Sequence, residues 1–197
     1  MTPWDQRLAR IVVGRLADAP MSANDLTALS LMVALCGAAL IATAEPWLVD
    51  WGAGLFVAGR FLDHFDGEFA RATGSTSRFG YYFDYVSGGA SYAALFAALG
   101  IAMHGPLGVW AVALGLLAAA GALVSVGLNL GIDAAQADGS SVGYPAFGGF
   151  ELEDGVYLLA PVTWLGWLPQ FFVLAGVGAA VYTVWSMSQL RRARAAA

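Results

Sequence analysis

Apolar residues fill this chain in long blocks separated by short polar punctuation. A block of about 20 mostly apolar residues can cross roughly 30 Å of hydrocarbon as a helix. Six such segments are predicted: Leu26–Thr43, Trp47–Leu62, Tyr82–Met103, Leu107–Leu130, Val156–Trp167 and Leu168–Met187. The fifth is the shortest. Ahead of them, Met1–Ala19 follows another pattern: Trp4, Leu8, Ile11, Val12 and Leu16 recur at helical spacing, with Asp5, Arg7, Arg10 and Arg15 on the rest of the wheel. Such a segment, residues 1–20, is expected to lie in the membrane plane as an amphipathic helix. It lacks the continuous apolar core of a cleavable signal. The predicted fold is an all-α integral membrane protein, with six transmembrane helices and an N-terminal amphipathic surface helix in one domain over residues 1–197. The only loop of any length is Gly131–Gly149.

Composition agrees with this reading, because 59% of residues are hydrophobic and only 12% charged, too few charges to cover a soluble domain of this size. The chain has no lysine, and its nine arginines fix an orientation. Arg7, Arg10 and Arg15 precede the first span, Arg71 and Arg78 lie between the second and third, and Arg191, Arg192 and Arg194 follow the last. By the positive-inside rule both termini and the acidic turn after the second span are expected to face the cytoplasm, and the chain is expected to be a multi-pass protein of the inner (cytoplasmic) membrane. Trp47, Trp51, Trp110, Trp164 and Trp167 sit where aromatic belts form at the bilayer edge. They do not read as a stacking platform for nucleic acid. Cys36, mid-span and alone, reads as core packing.

Charges at a bilayer boundary are costly and tend to be functional. Asp63, Asp66, Glu68 and Arg71 end one apolar block and Asp84 opens the next. Asp63 and Asp66 are three residues apart, so on a helix their carboxylates share a face. Gly67 removes a side chain where a ligand could approach the backbone. Hard oxygen donors gathered this way suit magnesium or manganese, and such an ion suits a phosphate-bearing substrate. Arg71, one turn further, can grip phosphate through its planar fork, or serve as a membrane anchor or the partner of Glu68. Arg60, one turn before Asp63, is expected to pair with an acid. Ser22 and Asp25 form a capping box at the start of the first span. No zinc spacing, nucleophile elbow or Walker loop competes.

The run Asp63-x-x-Asp66-Gly67-x-x-Ala70-Arg71, eight residues, then Gly80-x-x-x-Asp84 resembles the signature of the CDP-alcohol phosphatidyltransferases. All seven positions fall at the family's gaps. The resemblance is specific as far as Tyr92 and architectural beyond it. It implies metal-dependent transfer of a substituted phosphoryl group from a CDP-linked donor, such as CDP-diacylglycerol, to an alcohol or phospho-alcohol acceptor in phospholipid synthesis, with CMP released. It further implies that Asp63, Asp66 and Asp84 hold divalent cations, two in the family. Asn24, Thr27, Asp63, Gly67, Ala70, Arg71 and Gly80 are expected around the nucleotide and its phosphates. Arg78 matches a basic position that meets a phosphorylated acceptor in some members, and is otherwise an anchor. The resemblance also leaves room for a homodimer among membrane lipids.

One position departs from the signature. The family has a further aspartate one turn after Asp84, as general base and ligand of the second metal; this chain has Gly88 there. A general base contributes about 10²- to 10⁴-fold. Its loss leaves open a base relocated to the acidic cluster Glu151, Glu153 and Asp154, one recruited locally from Glu68 or His64, a water activated by one remaining ion, or a catalytically impaired relative that binds metal and CDP-nucleotide as a scaffold or sensor. Asp84 with that cluster forms the candidate catalytic set. A transporter with an acidic relay would explain the carboxylates but not the glycine and arginine spacing.

Overall fold

The computed structural model describes residues 13, 21–135, 146–147 and 150–196. The segment expected as a surface helix, residues 1–20, lies outside the described residues apart from Val13. Val13 is helical and packs against Leu26, Phe65 and Phe69.

Helix α1 spans Ala23–Ala42. The expected capping box starts it: Ser22 Oγ accepts from the Asp25 N–H at 3.2 Å, and the Asp25 carboxylate accepts from the Ser22 N–H at 2.8 Å. Helix α2, Pro46–Thr73, opens with proline in its first turn, where the missing N–H costs nothing. It ends at Gly74, whose φ of 66° makes a left-handed cap, the conformation glycine adopts most readily. No stop signal intervenes, so the helix runs past the expected end at Leu62 and carries the whole acidic segment in helical register. The turn expected there shrinks to residues 74–77.

Helix α3 covers Arg78–Ala102, with Ser77 as its N-cap. A single turn, α4 (His104–Leu107), leads into α5, Val109–Ala135. Helix α5 therefore takes up the first residues of the expected 131–149 loop, including Asp133. A two-residue antiparallel ladder follows, pairing β1 (Ala146–Phe147) with β2 (Phe150–Glu151).

The expected fifth span differs most. It is a seven-residue 3-10 helix, Leu152–Leu158, followed by a six-residue helix, α6 (Leu159–Trp164). At ~2.0 and ~1.5 Å per residue this segment reaches about 23 Å. Gly155, Pro161 and Gly166 explain why it goes no further. It runs antiparallel along α2: Tyr157 stands beside His64, with ring centroids 6.4 Å apart, and Trp164 Nε1 donates to the Asp50 carbonyl at 3.1 Å. Helix α7, Leu168–Ala196, closes the described chain.

Among the described residues, four helices are long and apolar enough to cross a membrane: α1, α3, α5 and α7. Helix α2 has the length but not the apolar composition. The six spans expected from sequence are thus four helices of that kind, one charged helix and one short segment.

Small residues set the closest crossings. A Cβ on Gly37 would lie 2.5 Å from the Phe56 nitrogen, and one on Gly52 2.6 Å from the Gly37 carbonyl oxygen, so α1 and α2 touch backbone to backbone. Gly59 against Ala34 repeats the contact at 2.7 Å. Helices α3 and α5 meet the same way, where a Cβ on Gly115 would be 2.8 Å from the Gly100 Cα. This is how helices associate when lipid removes the hydrophobic drive between them. Phe56, Ile41, Leu99, Leu159 and Phe172 fill the core.

Helices α5 and α7 present Leu116, Leu117, Leu123, Leu174, Val181 and Val184 outward. Cys36 is exposed on α1, not buried as its mid-span position implied. Trp47, Trp51, Trp110, Trp164 and Trp167 are all exposed. The chain direction puts them at the end of the bundle opposite Asp63 and Asp66, while Arg71, Arg78, Arg191, Arg192 and Arg194 fall at the acidic end.

Candidate metal centre

The site forms where the C-terminal half of α2 and the first turns of α3 meet α1, which lies between them. Asp63 and Asp66 come from α2 and Asp84 from α3. Each offers one carboxylate oxygen, and the three oxygens lie within 4.8 Å of one another. Ligands held at ~2.1–2.5 Å around one hard cation stand roughly 3–5 Å apart, so the spacing fits a shared divalent ion. Burial is graded: Asp66 is buried, Asp63 half-buried and Asp84 exposed.

Helix α1 orients the two carboxylates of α2. Thr27 and Ser30, three residues apart on one face, are both buried. The Thr27 hydroxyl donates to Asp66 Oδ2, and Ser30 Oγ donates to Asp63 Oδ1 at 3.2 Å. Each hydroxyl also lies within reach of a carbonyl of its own helix, Ala23 for Thr27 and Thr27 for Ser30. This is the arrangement that holds ligating groups in place around metals. Ser30 was not singled out from the sequence. Its signal was there, a polar pair at i, i+3 in an otherwise apolar span.

Arg60 meets its expected acid: Nη1 is 3.0 Å from Asp63 Oδ2, and the two side chains are 7% and 12% exposed. Its guanidinium also lies 4.8 Å from the ring centroid of Tyr92 on α3, a favourable cation–π distance. Arg71 pairs with Glu68 at 3.0 Å, and its guanidinium sits 3.4 Å from where a Cβ on Gly67 would be. In this structure the Arg71 head therefore covers Gly67.

Other expected site residues gather nearby. A Cβ on Gly80 would come within 3.0 Å of Asn24 Oδ1, so Asn24 of α1 and Gly80 of α3 lie side by side. Ala70, half-buried, uses its carbonyl to accept from the Gly74 and Ser75 N–H groups that end α2. Arg78 is exposed on a depression of about 400 Å³ lined with Thr76, Ser77, Tyr81 and Tyr82. Beside it Tyr81 and Tyr85 both donate to Asp133 Oδ2, at 2.7 and 2.6 Å, and tie α3 to α5. The side chains of Glu151 and Glu153 lie outside the described residues. Asp154 does not join the carboxylate cluster; it sits one 3-10 turn before Tyr157, on the same face. On α3, Gly89 packs closely against Val126, whereas a Cβ on Gly88 would meet only Arg60 Nη1, at 3.9 Å.

Fold and site together define a multi-pass helical membrane protein with a carboxylate cluster suited to a divalent cation. Residues 21–185 match the family described as CDP-alcohol phosphatidyltransferase, and the chain belongs to that family. Two crystal structures of the phosphatidylinositol phosphate synthase PgsA1 of Mycobacterium tuberculosis have the same fold. The one with CDP-DAG bound aligns with a TM-score of 0.68 at 20% sequence identity, over 93% of this chain and 94% of that chain. The one in complex with manganese and citrate gives 0.68 and 20%, over 92% and 88%. Likeness at that identity establishes the fold. No curated protein matches the chain.

Proposed function

We propose that this protein transfers a substituted phosphoryl group from a CDP-linked donor to an alcohol, releasing CMP, at a single pocket facing the cytoplasm. The observation that carries this reading is the convergence of Asp63, Asp66 and Asp84 from two helices, braced by Thr27 and Ser30 of a third. Family membership supports it, as does a relative of the same fold crystallised with CDP-DAG and with manganese.

Asp63, Asp66 and Asp84 would hold magnesium or manganese. Such an ion neutralises charge on a pyrophosphate and makes CMP a better leaving group. The protein's own residues do the rest. Asn24 and Gly80 form one wall for the nucleotide, and Gly67 lets it lie against the backbone of α2 once Arg71 has swung from Glu68 to the donor phosphate. The depression around Arg78, Ser77 and Tyr82 receives the acceptor. The acceptor oxygen forms the new P–O bond, the bond to CMP breaks, and the hydroxyl proton leaves to a base. We assign that base to the acidic segment 151–154, with Asp154 its described member, because Tyr157 brings this segment against His64 beside Asp63. By the positive-inside rule the clustered arginines at this end support a cytoplasmic location for it and for both termini. Six passes then follow if the short segment 152–164 counts as one.

The test is CMP release from CDP-diacylglycerol with magnesium or manganese, across phosphorylated and unphosphorylated alcohols. Turnover that vanishes in Asp66→Asn supports the reading. Nucleotide binding without CMP release for any acceptor would instead make the chain a binding protein.

A further inference from the structure

We infer that Arg60 is a resident cation of the carboxylate centre and limits it to one divalent ion. The inference rests on the metal-binding reading above and deepens it. Arg60 is 6% exposed, and its Nη1 is 3.0 Å from Asp63 Oδ2. One oxygen of Asp63 therefore serves the guanidinium while the other accepts from Ser30. The guanidinium is fixed from the α3 side by the Tyr92 ring.

Gly88 explains why the arginine fits. It follows Asp84 by one helical turn and so faces the same way. A Cβ built on Gly88 meets one neighbouring atom within 4 Å, Arg60 Nη1 at 3.9 Å. The space beside Gly88 is thus bordered by a positive charge. Three carboxylates and one guanidinium leave two negative charges, which one divalent ion neutralises. A second ion next to Gly88 would find a like charge, and position 88 itself offers it no carboxylate.

Charge and space together make a sharp prediction about paired substitutions. An aspartate introduced at position 88 by Gly88→Asp points at Arg60 and is taken up in an ion pair, so it adds no metal site. Only removal of the arginine frees both carboxylates. Manganese stoichiometry, measured by calorimetry and by elemental analysis of desalted protein in detergent, should be one ion per chain for the unaltered protein and for Gly88→Asp. It should rise to two in the double variant Arg60→Gln/Gly88→Asp. Arg60→Lys with Gly88→Asp keeps the cation and should stay at one, which also serves if the Gln variant misfolds. Two ions bound by the unaltered protein or by Gly88→Asp alone would overturn the inference while leaving the metal centre intact. A single ion in a folded double variant would overturn it as well. No ion bound by any form would instead sink the metal reading itself.

Discussion

Replacing Thr27 with valine removes a hydroxyl and keeps the shape, at a residue 3% exposed whose donor reaches Asp66 Oδ2. The volume hardly changes, so the helix crossing should survive. What is lost is a hydrogen bond to an ionised group, worth about 1.5–3 kcal/mol. At about 1.4 kcal/mol per factor of ten, that is roughly a 10- to 100-fold loss in cation affinity. The range agrees with the effect of deleting groups that orient metal ligands. Ser30→Ala should cost less, because Asp63 keeps Arg60 as a partner at 3.0 Å. Manganese titration of the two variants and the unaltered protein reads both values. Equal affinities in all three proteins, or a larger loss in Ser30→Ala, would refute the idea that α1 sets the aim of Asp66.

Other substitutions probe the frame and the approach of the donor. Gly37→Val would force a side chain to within 2.5 Å of the Phe56 nitrogen; overpacking of this kind costs about 1–3 kcal/mol or more, read as a lower unfolding temperature in detergent together with weaker metal binding. If Arg71 grips the donor phosphate as proposed, Arg71→Ala should raise the KM for the CDP-linked donor about tenfold or more, with metal affinity unchanged, the loss corresponding to a charge-assisted hydrogen bond. Asp133→Asn weakens acceptance from Tyr81 and Tyr85 and should lower thermal stability by about 1–2 kcal/mol, leaving manganese stoichiometry as it was. Asp154→Asn should reduce kcat by about 10²- to 10⁴-fold if it carries the acceptor's proton, while KM for the donor holds.

Much of the site was legible because its spacing is helical. The i, i+3 spacing pairs Asp63 with Asp66 only on a helix, and α2 supplies one by running past Leu62 to Thr73. The Arg60–Asp63 and Glu68–Arg71 pairs were readable for the same reason, each being three residues apart. Contacts between helices were not. Nothing in the local pattern says that Ser30 meets Asp63, that Tyr92 lies over Arg60, or that Tyr81 and Tyr85 share Asp133. These depend on which faces α1, α3 and α5 turn toward each other, which the glycine crossings decide. The fifth span, expected at Val156–Trp167 as the shortest, consists of the 3-10 helix Leu152–Leu158 and the helix Leu159–Trp164, a division that apolar composition does not show and that Gly155 and Pro161 favour.

If that abbreviated segment crosses the bilayer, it has a consequence for the surrounding lipid. At about 23 Å it is some 7 Å shorter than the hydrocarbon it would need to match, and a bilayer adapts to such mismatch by thinning locally. The pinch would fall along α2, on the side where His64 and Tyr157 touch. Headgroups would dip there toward the level of Asp63, so a lipid-borne phosphate could reach the carboxylates without its acyl chains leaving the membrane.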